Sequence, residues 1–533
     1  MDESDRAAAT SPHALKSAAP PPARLKKESL DKDLSKLVHV EEAARFAAKD
    51  LFAPGLALLF LVVAGALASL YIGAAPNALF IVVAAMLGGY MALNIGANDV
   101  ANNVAPAVGS QALTLVGALV IAAIFESAGA LIAGGDVVNT VAKGIIDPSL
   151  VPDTQTFVWA MMAALLAAAL WVNLATWLGA PVSTTHAVVG GVLGAGVAAA
   201  GFGAVNWATM GAIAASWVIS PLMGGAIAAA FLAFVKINII YQDDKIAAAR
   251  RWVPMLIATM AACFTVYLVM KGLKTYWRPS GLALAAVGLA VFVGALAVVS
   301  PWVRAKSEGM ENRNESLRVL FYLPLICSAA LLSFAHGAND VANAVGPLAA
   351  ILASAQSGAI GGSIAIPAWI MLIGAFGISL GLFLYGPRLI RVVGQEITRM
   401  NPMRAFCVAL SAAITVIVAS ALGLPVSSTH IAVGAVFGVG FFREYYTARS
   451  KRRRHYVKGH KRHPAPQTAD ANANGQNCQN GGNGPNGPNG NEGNRRKLVR
   501  RRHFLAIVAA WLITVPATAA LAAGIGYGLS LLR

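Results

Sequence analysis

Gly96-Ala97-Asn98-Asp99-Val100-Ala101-Asn102 returns later in the chain as Gly337-Ala338-Asn339-Asp340-Val341-Ala342-Asn343. Each copy sets two carboxamides and a carboxylate inside strongly apolar sequence. An unpaired polar group in hydrocarbon costs several kcal/mol, and an ionisable one there marks a functional site by default. Lipid-facing drift does not produce the same seven residues twice. The stretch reads as a duplicated binding element.

The surroundings set the solvent. Of 533 residues, 57% are hydrophobic and 12% charged, against roughly 25% charged in a soluble domain. Apolar runs of about twenty residues, long enough to span a bilayer as helices, recur from Leu51 to Leu532. The runs are continuous, without the alternation of a membrane β-barrel. The fold class is therefore an all-α polytopic membrane protein with about a dozen transmembrane helices. The four cysteines (Cys263, Cys327, Cys407, Cys478) form no CxxC or His/Cys metal spacing, and no disulfide framework or cofactor is expected. The net charge of +17 is concentrated between Arg443 and Arg502, in runs such as Lys451-Arg452-Arg453-Arg454. Beside membrane spans such runs mark cytoplasmic loops rather than nucleic-acid binding, with anionic lipid as a further contact.

Taken in order, residues 1–50 are an extension rich in charge, Pro and Ala, partly disordered, with a short interfacial helix over Leu37–Asp50. Residues 51–77 hold an extra span, Leu51–Ile72. Residues 78–235 form a first repeat. Residues 236–318 are a connector with two plain spans between charged segments (Lys236–Arg251, Trp302–Arg318). Residues 319–533 form a second repeat, interrupted by a flexible basic insert at 443–502 with an Asn/Gly/Pro tract. Within the second repeat Pro387–Arg404 reads as a basic loop. Placing the insert, both connectors and that loop in the cytoplasm turns the two repeats opposite ways. Repeat 1 then begins outside, and its acidic loop Gly134–Thr156 is external; repeat 2 begins inside. Inverted-topology repeats with broken or re-entrant helices at the midplane are a construction of secondary transporters. Lys271–Arg278 falls outside in this scheme and violates the charge rule. The N-terminus and the basic insert are cytoplasmic, and the membrane is the plasma membrane (the cell inner membrane in a bacterium).

A second motif is also duplicated: Pro181-Val182-Ser183-Thr184-Thr185-His186 and Pro425-Val426-Ser427-Ser428-Thr429-His430. Pro opens a helix and Ser or Thr caps its restart. The half-helix that follows carries free N–H groups and a partial positive charge into the membrane, suited to an anion. Asn98 and Asn102, like Asn339 and Asn343, share a face if helical. Asp99 and Asp340 can bind Na⁺ when ionised or carry H⁺ when protonated. Carboxylates repel a fully ionised anion such as sulfate but accept a hydrogen bond from protonated phosphate. No Lys or Arg lies in the four motifs, so anion binding rests on dipoles, hydroxyls, amides and cotransported cations.

With these residues in place, the chain resembles the PiT (Pho-4) family of inorganic phosphate transporters over about Ala78–Arg533. The resemblance implies import of inorganic phosphate by cation symport, with H⁺ or Na⁺ as the driving ion, and no enzymatic activity. It implies phosphate or ion contacts at Asn98, Asp99, Asn102, Ser183, Thr184, Thr185, Asn339, Asp340, Asn343, Ser427, Ser428 and Thr429, with Na⁺ at Asp99 and Asp340 as one option. Glu126, in an apolar span, resembles a family glutamate and is a candidate proton relay or helix–helix hydrogen bond. Laying Phe125 over Phe376 puts Gly377 opposite it, so repeat 2 has no matching acid. His336 stands where repeat 1 has Ile95. His186 and His430 are expected to lock their half-helices by hydrogen bonds. Alternatives are a passive anion channel or a transporter of another oxyanion such as sulfate. A homo-oligomer and a monomer are both compatible with the sequence.

Overall fold

The computed structural model describes residues 51–73, 78–180, 182–272, 279–357, 366–392, 400–449 and 501–531. The expected N-terminal extension, most of the basic insert, Pro181 and most of the Lys271–Arg278 stretch lie outside these. Sixteen helices make up the described chain. They are α1 Leu51–Ile72, α2 Ala78–Asn98, α3 Val100–Gly109, α4 Leu115–Ala133, α5 Gly135–Asn139, α6 Thr154–Trp177, α7 Thr184–Ala200 and α8 Trp207–Val235. After these come α9 Lys245–Gly272, α10 Gly281–Lys306, α11 Asn314–Leu320, α12 Tyr322–Ser357, α13 Ala368–Val392, α14 Pro402–Ala421, α15 Ser428–Arg449 and α16 Arg501–Ser530. Eleven spans are long and apolar enough to cross a membrane, and α7 is a shorter apolar helix.

Elements differ from expectation where charge was read as loop. Pro387 sits inside α13, which continues to Val392, so the basic loop begins later than Pro387. The first charged connector shrinks to Tyr241–Asp244, because Lys236–Ile240 prolongs α8 as a π-turn and α9 starts at Lys245. In the second, α10 runs on to Lys306 and α11 begins at Asn314. Long cationic side chains at a span's end reach water without ending the helix. The Asn/Asp motifs are helical. The first lies at the α2–α3 joint, where Asp99 keeps right-handed helical angles, and the second lies inside the unbroken α12.

Small residues let these helices meet backbone to backbone, as lipid-embedded helices must when little else drives association. A Cβ at Gly96 would overlap the Ile378 carbonyl, and one at Gly337 would overlap that of Glu126. Gly381 against Leu93 matches Gly129 against Phe334. Gly434 against Pro221 matches Gly190 against Val515, and Gly438 against Gly225 matches Gly194 against Ala519. Each of these glycine contacts thus has a counterpart related by the duplication. The repeats also exchange helices: α8 packs on α14 and α15, while α16 packs on α6 and α7. Neither repeat's hairpin is covered by its own last helix, which binds the two repeats into one core.

Candidate functional site

Two helix breaks and two polar helices build the site. At each break a serine caps the restart. Ser183 Oγ accepts from His186 N at 3.1 Å and Ser427 Oγ from His430 N at 3.2 Å. Capping of this kind contributes about 1 kcal/mol. It also occupies two hydroxyls that the sequence offered as ligand contacts.

Asn98 and Asn339 stitch the polar helices to the breaks. Asn98 donates to Thr176 Oγ1 (2.9 Å) and Ala180 O (3.2 Å) and accepts from Val182 N (3.2 Å). Asn339 donates to Ser420 Oγ (2.9 Å) and Leu424 O (3.1 Å) and accepts from Val426 N (3.2 Å). Each carboxamide closes the gap in backbone pairing that its break leaves. Thr176 and Ser420, both three residues before a glycine of positive φ, were missed in the sequence, although that shared spacing was visible.

The next turn crosses between repeats. Asn102 donates to Thr429 Oγ1 at 3.0 Å, and Asn343 donates to Thr185 Oγ1 at 3.1 Å and Thr184 Oγ1 at 3.3 Å. Thr184 Oγ1 donates to Asp99 Oδ2 at 2.5 Å, Thr429 Oγ1 to Asp99 Oδ1 at 3.2 Å, and Ser428 Oγ to Asp340 Oδ2 at 3.2 Å. Thr185 Oγ1 reaches Val426 O across the interface at 3.0 Å. All of these side chains except Asn102 are buried. Eight of the twelve sequence candidates (Asp99, Asn102, Thr184, Thr185, Asp340, Asn343, Ser428 and Thr429) therefore join one network shared by both repeats, while Asn98, Asn339, Ser183 and Ser427 hold the breaks beside it. Asp340 Oδ1 and Asn343 Oδ1 are buried oxygens with no donor among the described residues. A buried acceptor without a donor is costly, and a dehydrated hard cation satisfies it. One oxygen each of Asp99 and Asp340 and a His336 nitrogen lie within 4.8 Å of one another.

One half of the cluster carries an extra ionic chain. His336 Nδ1 lies 2.7 Å from Glu126 Oε2, and its Nε2 lies 2.7 Å from Asp340 Oδ2. Asn103, a residue the sequence reading passed over, donates to Glu126 Oε1 at 2.8 Å. Glu126 thus joins α3, α4 and α12. The residue opposite it is not Gly377: the Ser127–Ser379 hydrogen bond (2.9 Å) and the Glu126/Gly337 and Ile378/Gly96 contacts move the register by one, to Ile378. Each pair takes one residue from each repeat: Ile95 and Ile378 stand on the Gly96 side where His336 and Glu126 stand on the Gly337 side. Overlaying phenylalanines missed the slip, because Phe125 is half-buried and Phe376 is exposed.

The His186 ring has no hydrogen-bond partner among the described residues, contrary to expectation. It is held by rings instead: its centroid lies 3.8 Å from that of Trp217 and 4.3 Å from that of His430. Trp217 Nε1 donates to Pro425 O at 3.2 Å. The two half-helix starts therefore abut directly.

Comparison with known proteins agrees with this construction. The profile described as "Phosphate transporter family" matches residues 95–522. A protein of Helicobacter pylori named "putative phosphate permease" is 51% identical over 424 residues, covering 79% of this chain and 80% of the relative. A like-named protein of Pyrococcus abyssi is 39% identical over 361 residues, covering 67% and 88%. A solved structure, "The sodium-dependent phosphate transporter", superposes with a TM-score of 0.72 at 33% identity, over 85% of this chain and 100% of that one.

Proposed function

The chain belongs to the phosphate transporter family, and from that premise we propose that it imports inorganic phosphate by cation symport with alternating access. The observation that carries this reading is the shared cluster. Asp99 receives one hydroxyl from each repeat's break, and Asn102 and Asn343 tie each polar helix to the other repeat's break. A ligand bound there touches both repeats, so moving one against the other changes the site's exposure.

Phosphate sits against the two half-helix starts, where N–H dipoles and hydroxyls offer donors. Its remaining proton points to an aspartate. The donor-free oxygens Asp340 Oδ1 and Asn343 Oδ1 take the driving cation, and the sodium dependence named for the solved relative favours Na⁺ over H⁺. The repeats are inserted with opposite orientation in the plasma membrane, with the basic insert in the cytoplasm.

Purified protein in proteoliposomes tests the substrate class. Labelled phosphate uptake driven by an inward Na⁺ or H⁺ gradient should be inhibited by arsenate far more than by sulfate. Equal inhibition by the two anions removes the protonated-oxyanion argument, and uptake indifferent to both gradients makes the protein a channel.

A further inference from the structure

The two breaks have matched backbones and unmatched surroundings. Gly179 and Gly423 turn their breaks with φ of 71° and 69°, which L side chains rarely adopt. A Cβ at Gly179 would meet nothing within 4 Å, whereas one at Gly423 would meet Thr140 Oγ1 at 3.4 Å and Asp136 O at 3.6 Å. Thr140 Oγ1 also donates to Gly423 O at 2.6 Å. Lys271, in the last turn of α9, pairs with Asp136, and its Nζ lies 3.5 Å from Ala421 O. An ammonium there also complements the carbonyl-rich end of α14.

These three residues belong to none of the duplicated motifs, and α9 belongs to neither repeat. In the register that pairs Ser127 with Ser379, Asp136 corresponds to Arg388, so repeat 1's break has no acidic counterpart of this pair. The pair also accounts for one of the basic residues on the wrong side of the charge rule, since Lys271 is neutralised by Asp136; Lys274 and Arg278 lie outside the described residues. Side-chain exposure of 19% for Lys271 and 38% for Asp136 places it at the edge of the packed core, where opening needs no buried charge to be stranded.

Resting on the transporter reading for what the closure serves, we infer that Lys271, Asp136 and Thr140 are positioning residues. They hold the repeat-2 break against the site and close it on the Asp136 face, whereas at Gly179 no described residue stands in the equivalent position. The ion pair is released when that face opens, and the Thr140 bond breaks with it.

Thiol labelling tests this without substrate movement. Leu424→Cys is placed in the full chain with Cys263, Cys327, Cys407 and Cys478 replaced by serine. An impermeant thiol reagent is applied to right-side-out and to inside-out vesicles. Lys271→Met should raise the labelling rate at least fivefold from the Asp136 face and leave the opposite face unchanged. Lys271→Arg and the exchanged pair Lys271→Asp/Asp136→Lys should keep labelling slow. An unchanged rate in Lys271→Met overturns the inference, and so does an equal rise from both faces, which reports general loosening. Absence of phosphate uptake by the parent chain would refute the transport reading alone, because labelling requires no transport.

Discussion

Asp99 and Asp340 hold the same place in the two repeats but keep different company. Asp99 is met by two hydroxyls, from Thr184 at 2.5 Å and Thr429 at 3.2 Å. Asp340 is met by Ser428 and by His336. Each carboxyl group thus has two polar partners, but only Asp99 takes one from each repeat. Asp99→Asn and Asp340→Asn keep the shape and remove the anionic oxygens. Each is expected to lower gradient-driven phosphate uptake by about tenfold or more while the protein still elutes as a folded species in size-exclusion chromatography. Near-parental uptake in both variants would remove these residues from the mechanism. The Glu126–His336 pair invites a sharper comparison, because the symmetry-equivalent space is filled by Ile378 and Ile95. Removing one partner of a buried pair costs about 3–5 kcal/mol, whereas replacing both with apolar residues is close to neutral. His336→Ile alone should therefore lower thermal stability clearly, and Glu126→Ile/His336→Ile should recover most of the loss. A double variant no more stable than the single one would show that the chain to Asp340, not the pair, carries the effect.

At the scale of the element, the breaks were legible and the helix ends were not. Pro followed by Ser and Thr names a break and its cap, and both appear as read. Helix ends depend on how far charged side chains reach to water, which apolar runs do not encode, so both connectors and the α13 end were drawn too early. Register across helices was legible only to within a residue, because it is set by glycine contacts rather than by matching aromatic residues. Those contacts give a direct test. Ala at Gly96 or Gly337 must push apart two backbones, and such overpacking costs about 1–3 kcal/mol. Gly211→Ala, where a Cβ meets nothing within 4 Å, should be neutral or stabilising by about 1 kcal/mol from helix propensity. Thermal unfolding followed by tryptophan fluorescence separates the two classes. Equal melting temperatures for all three variants would mean that close approach does not hold these helices together.

Over the whole molecule, duplication was the most informative feature in the chain. It singled out twelve polar residues that the structure places at the two breaks and the two polar helices facing them, because a polar motif repeated in order needs a common partner. It did not reveal that the repeats share their hydrogen bonds crosswise, nor that α8 and α16 exchange places, since both depend on tertiary contacts between distant segments. The chain from Glu126 through His336 to Asp340 and the clasp of Lys271 on Asp136 were out of reach for the same reason. Each involves unique residues with no second copy to mark them. The crosswise bonds are what make the cluster one site rather than two, and Thr429→Ala breaks two of them at once. At about 1 kcal/mol per bond, the two bonds together correspond to a fall in phosphate affinity of about thirtyfold with folding intact, measured as equilibrium binding of labelled phosphate. The central claim is that this shared cluster couples phosphate to a cation. The direct measurement is the steady-state ratio of internal to external phosphate in proteoliposomes under an imposed inward Na⁺ or H⁺ gradient. The account predicts a ratio well above one for at least one gradient, returning to one when that gradient is dissipated and in Asp99→Asn. A ratio of one under both gradients, or accumulation undiminished in Asp99→Asn, would contradict it.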